Sequence, residues 1–233
     1  MKIIYSILIL AFFVPILSAQ TEIQSNNLVA GGSVNFYVQQ NLLPSSSVIL
    51  NGGLNEIYST SASNRKTTRL YLSPYFAKEV STRWLLGLQL QYSFDRSTAE
   101  GIISNNLGQL DTFNLKQTEN GYGVGLFGRY TFNPENRFQV YLQPAVNYSF
   151  VNEVNHRDEI VTGEAESYAF GIVTSLGVLY EISDQFSLTS RFGAIGYTTG
   201  QWTDKDSDES QNFNSFSTTL NLTSLYFGFE YRF

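Results

Sequence analysis

From residue 28 onward the chain repeatedly alternates large apolar side chains with small or polar ones. Leu28, Ala30, Gly32, Val34, Phe36 and Val38 share one parity in the first such stretch, and Trp84, Leu86, Leu88, Leu90, Tyr92 and Phe94 share one parity in another, against Leu85, Gly87, Gln89, Gln91 and Ser93. A period of two is that of a β-strand, whose successive side chains point to opposite faces. The pattern predicts eight strands, at about 28–38, 68–77, 84–94, 122–132, 138–150, 167–181, 186–198 and 222–233. The seventh loses phase, with Ser190 on its apolar side and Ile195 on its polar side, which predicts a bulge near Gly196. Pro74 and Pro144 fall inside strands, where each removes a ladder hydrogen bond, so local bulges are expected there too.

The connections alternate in length. Short ones near 78–82, at Asn133-Pro134-Glu135-Asn136 and at Ser183-Asp184-Gln185 have turn chemistry. Polar stretches at 39–66, 96–119, 152–166 and 201–215 read as long loops. The apolar faces carry no Lys, Arg, Asp or Glu, whereas the opposite faces carry Arg69, Arg129, Glu181, Arg191, Glu230 and Arg232. A sheet with a bulky aromatic outside and charges inside fits a wall between lipid and a polar lumen, and such a wall must close because an open edge cannot sit in hydrocarbon. The fold class expected is therefore all-β, an eight-stranded antiparallel transmembrane β-barrel with meander connectivity. An even strand number places both termini on the periplasmic side, below the short turns.

Composition sharpens this picture. The 15 Tyr, 18 Phe and 18 Gly suit strands, interfacial aromatic girdles and a crowded lumen. Cysteine is absent, which excludes disulfides, thiolate metal sites and a lipidated Cys. A net charge of −6 argues against a nucleic-acid partner. Mean hydropathy of −0.12 carries no membrane signal, because a barrel hides it in alternation. Residues 1–19 have the form of a secretory signal peptide: Lys2, an apolar block at 3–17 and a small-residue end with cleavage expected after Ala19. Residues 20–233 would then be the outer-membrane barrel domain.

The final stretch, Leu222 onward, places Phe229, Tyr231 and Phe233 at alternate positions, with an aromatic ring as the last residue. It resembles the C-terminal strand by which bacterial outer-membrane barrels are recognised for assembly. The chain as a whole resembles small OmpA/OmpX-type barrels and the barrel-domain proteins common in Bacteroidota. The resemblance implies a bacterial outer-membrane location, a porin-like architecture, assembly by the barrel assembly machinery through Phe229, Tyr231 and Phe233, and contact with outer-membrane lipid and lipopolysaccharide.

An eight-stranded barrel is just wide enough to be filled by its own side chains. Inward Tyr71, Tyr75, Phe127, Arg129, Tyr141, Arg191, Tyr226 and Glu230 are expected to fill it, with Arg129, Arg191 and Glu230 joined in a buried polar network and no continuous channel. Catalytic chemistry has little purchase. His156 sits beside Arg157, Asp158 and Glu159 in a polar loop with no identifiable nucleophile, so no catalytic residue is assigned and the chain is expected not to be an enzyme. Asp204-x-Asp206-x-Asp208 resembles the start of a calcium loop but has Glu209 where a turn glycine belongs and Ser215 where the bidentate Glu belongs, so no metal or cofactor is expected. The function expected is that of a non-enzymatic barrel acting through surface loops on an unidentified extracellular partner, in adhesion, partner binding or envelope integrity. The alternatives are a small transporter for an apolar ligand, motivated by Tyr58 in the first loop and the irregular seventh strand, and an outer-membrane lipid-modifying enzyme.

Overall fold

Ten strands form the wall in the computed structural model, which describes residues 27–41, 47–52, 56–104, 110–219 and 225–233. They are β1 (Leu28–Asn41), β2 (Ser47–Gly52), β3 (Glu56–Glu79), β4 (Trp84–Ser104), β5 (Leu110–Thr131), β6 (Phe138–Arg157), β7 (Ile160–Glu181), β8 (Phe186–Asp204), β9 (Ser210–Thr219) and β10 (Tyr226–Arg232). Every pairing is antiparallel. The ring runs β1, β3, β4, β5, β6, β7, β8, β10 and back to β1. β2 pairs with β3 beyond the end of β1, and β9 pairs with β8 beyond the end of β10, so each continues a wall position already counted. The barrel is thus eight-stranded and antiparallel, each wall following its sequence neighbour. The proposed signal peptide lies outside the described residues, as does the side chain of Tyr58.

Alternation sets which face is which. Leu86, Leu88, Leu90, Val124, Leu126, Val146, Phe170, Ile172, Phe227 and Phe229 are exposed on the outside. Val29, Ala77, Leu85, Phe127, Tyr141 and Leu179 are buried inside. On β4 the belt runs from Trp84 to Phe94, a strand length that at the usual tilt covers about 25 Å, enough to cross a bilayer core. Aromatic pairs mark its lower rim, with Trp84 against Tyr130 at 5.1 Å and Tyr231 against Phe233 at 5.0 Å. Tyr92 against Tyr122 at 5.5 Å and Phe150 against Tyr168 at 5.1 Å mark its upper rim. An apolar band between aromatic girdles on a closed barrel is a lipid-facing surface, and the molecule is an integral outer-membrane protein.

Three expectations change. The long loops at 39–66, 96–119, 152–166 and 201–215 are largely strand: β4 continues ten residues above the belt to Ser104, and β6 and β7 meet across only Asp158 and Glu159, both with left-handed φ (48° and 70°). Away from lipid neither face of these upper hairpins has to be apolar, so their sequences lose the apolar period and read as loop. Secondly, the bulge in β8 sits at Gly193, not near Gly196. Ser175 pairs with Ala194 while Leu176 pairs with Phe192, leaving Gly193 as the extra residue at φ 74°. A glycine accepts that left-handed conformation without steric cost, and the inserted residue reverses the parity so that Ile195 and Tyr197 face outward. Thirdly, neither proline makes a bulge. The β3–β4 pairing skips from Leu72 to Tyr75 and the β5–β6 pairing from Phe127 to Tyr130 with the register unchanged. On their other sides Pro74 pairs with Gly32 and Pro144 with Thr174. Each ring therefore gives up bonding on one edge only.

Candidate functional site

The lumen is crowded because glycines admit rings. A Cβ at Gly177 would collide with the Tyr141 ring, and one at Gly87 would lie 2.7 Å from the Phe127 ring. Phe127 in turn meets Tyr75 edge-on at 5.3 Å. On this floor sits a charged cluster. Arg129 on β5 and Glu230 on β10 form an ion pair across the lumen, with side chains only 4% and 3% exposed. Tyr75 on β3 donates its hydroxyl to the same Glu230 oxygen. Arg129 donates from Nε and Nη2 to Gln143 Oε1, both at 3.1 Å, and from Nη2 to the Tyr75 oxygen at 3.3 Å. Its guanidinium also lies 4.3 Å from the centroid of the Tyr141 ring. Four strands thus converge on one guanidinium, and this cluster plugs the barrel. Two buried charges are tolerable here because their polar atoms are mutually bonded.

Arg191 does not belong to this cluster. It lies on β8 opposite Tyr226, whereas Glu230 lies opposite Ser187, so the two levels differ by four positions, roughly 13 Å along the strand. There Arg191 donates to Ser33 Oγ and its guanidinium stands 5.4 Å from the Tyr226 ring. The three residues share a face but not a height, and parity reports only the face.

Below the plug, Arg232 donates to Glu79 at 2.9 Å and to Glu181 at 2.7 Å, while Gln139 donates to Glu181 at 3.0 Å. The sequence shows Glu181 and Arg232 as inward-facing and puts Glu79 in the 78–82 turn, whereas Glu79 ends β3; only the strand register brings the three together. Above the belt, Asp95, Glu119 and Glu153 stand in one row across β4, β5 and β6. Arg69 is paired with Asp95, and Gln117 donates to both Glu119 (3.2 Å) and Glu153 (2.9 Å).

Burial raises the Glu119 carboxyl above the ordinary carboxylate range, with Asp95 and Glu153 adding to the effect. The folded barrel therefore holds that proton more tightly than the unfolded chain, and stability falls as pH rises from the ordinary glutamate range through the raised value. Glu119→Gln should raise the urea midpoint at neutral pH and flatten its fall as pH rises above the ordinary glutamate range. An unchanged pH profile would remove Glu119 from that balance.

The remaining sequence candidates are also placed. Phe229 and Phe233 are exposed on the lipid side, Phe229 stacks on Phe186 at 6.3 Å, and the Phe233 amide donates to Leu28 O at 3.0 Å. His156 lies on β6, with Lys116 and Val161 as its ladder neighbours. The Asp204 carboxylate accepts from the amides of Asp206 (2.8 Å) and Ser207 (3.1 Å), which makes it a cap of the β8–β9 turn. Among the described residues no group of acids and His is arranged to hold a metal ion.

No protein-family model matches the chain, and no curated protein matches it. Among solved structures it is similar to the outer membrane protein OprG from Pseudomonas aeruginosa, at 15% identity over 88% of this chain and 94% of that one, with a TM-score of 0.37. It is similar to a major outer membrane protein from Thermus thermophilus, at 13% identity over 88% and 99%, with a TM-score of 0.39. It is also similar to the outer membrane protease OmpT from Escherichia coli, at 10% identity over 92% and 99%, with a TM-score of 0.34.

Proposed function

We propose that this chain is a non-conducting, non-enzymatic outer-membrane barrel of the small, side-chain-filled kind typified by OmpA and OmpX, and that it acts through its tall surface hairpins. The observation that carries this reading is the pairing of Arg129 with Glu230 across the lumen, locked by Tyr75 and Gln143, at a level where the barrel is only eight strands wide. A pore needs a wetted path, and this level is filled by mutually bonded side chains. The hairpins supply what the lumen does not. Above the belt they present two-sided polar sheets, roughly 30 Å of strand on β4, to the extracellular side. Such surfaces suit lipopolysaccharide, a host surface or a partner protein, and they make adhesion, partner binding or envelope support the biological role. Biogenesis through the barrel assembly machinery, read from Phe229, Tyr231 and Phe233, belongs to the same proposal.

The test is planar-bilayer recording of the refolded full chain. No discrete conductance steps are expected at voltages at which ordinary porins conduct. Regular steps of porin size in the native protein would overturn the proposal.

A further inference from the structure

Directly above the plug the lumen widens into a cavity of about 230 Å³. Its polar side is formed by Arg191, Tyr71, Tyr226, Gln91 and Asn147, and its apolar side by Ala145 and Val173. Among the described residues no carboxylate lines it. Asn147 accepts from both Gln89 (2.7 Å) and Gln91 (3.0 Å), so the amides are held in place by one another. The cation is the unmatched element. Arg69, Arg129 and Arg232 each have a carboxylate within ion-pair distance, whereas Arg191 has a serine hydroxyl and a tyrosine ring and no carboxylate among the described residues. A guanidinium in a narrow lumen without a counter-charge is costly, and elsewhere in this barrel the chain supplies the anion itself.

We propose that this chamber binds a small carboxylate with a short apolar tail, its head on the Arg191 guanidinium and its tail against Ala145 and Val173. The planar fork of an arginine matches the two oxygens of a carboxylate. Tyr71 and Tyr226 line the same chamber and supply hydroxyl donors for that head. At about 230 Å³ the chamber has room for a short-chain carboxylate. The ligand reaches the chamber past Asp95, Glu119 and Glu153, with Arg69 and Arg65 beside them, so the acidic row governs the rate of entry more than the affinity. Because the chamber lies above the plug, occupancy and conductance are separate readouts.

Equilibrium dialysis of labelled butyrate against the folded full-length protein in detergent tests the assignment, with butyramide as the neutral analogue of the same shape. Saturable butyrate binding is expected, with butyramide at least about tenfold weaker, since a hydrogen bond to a charged group carries that much. Arg191→Gln should weaken butyrate at least about tenfold while retaining the heat-dependent gel shift of a folded barrel, and Arg191→Lys, which keeps the charge but not the fork, should fall between. No saturable binding, equal affinity for butyramide, displacement by equimolar chloride, or full affinity in Arg191→Gln would each overturn the proposal. Should Arg191→Gln not fold, the butyrate-to-butyramide ratio in the native protein and in Arg191→Lys decides.

Discussion

Replacing Glu230 with Gln is expected to lower the unfolding free energy of the barrel in lipid vesicles by about 3 kcal/mol or more. The substitution leaves the Arg129 guanidinium buried and charged, with the Gln143 amide, the Tyr75 oxygen and the Tyr141 ring as its remaining partners. Tyr75 loses its charged acceptor at the same time. Urea titration read by the mobility difference between folded and unfolded barrel measures the effect. A double replacement, Arg129→Leu with Glu230→Leu, removes both charges and should recover much of the loss, because the penalty belongs to the orphaned charge and not to the missing pair. A single variant as stable as the native protein would show that the plug contributes nothing to the folded state.

Leu126→Arg should cost about 2–4 kcal/mol by the same measurement, while Val161→Arg should be nearly neutral. Both residues point outward, Leu126 66% exposed and Val161 50%. They differ only in height. Leu126 is flanked on its own strand by Val124 and Gly128 inside the belt, whereas Val161 lies beside the β6–β7 turn. In water the two substitutions would be alike; in a bilayer one guanidinium must leave water and the other does not. Equal effects would mean that the belt does not mark the membrane.

Legibility in the sequence followed the solvent. Where lipid presses on one side, as along Trp84 to Phe94, parity is strict and the strands are plain to read. Above the belt, Thr67, Ser97 and Thr98 are polar whichever way they face, so the continuing strands of β3 and β4 look like loop. The loss of phase in β8 was visible as the clash between Ser190 and Ile195, but any residue between them could absorb it. The positive φ at Gly193, not its composition, settles the place. Charges behaved the same way. Arg129, Arg191, Glu230 and Arg232 all read as luminal, yet their partners depend on stagger between strands, a quantity that parity does not contain. Glu230 meets Arg129 and Tyr75, residues 101 and 155 positions away, and only the closed ring sets those meetings.

The pairing of β1 with β10 has a kinetic corollary. Among the described residues this seam runs from Val29 with Arg232 to Val34 with Phe227, and it joins strands that stand at opposite ends of the sequence order around the ring. Hairpins between neighbours can zip early, but this seam must bring two strands distant in the sequence together against loop entropy. Closure is therefore the slow step in maturation, because no local turn holds its two strands together beforehand.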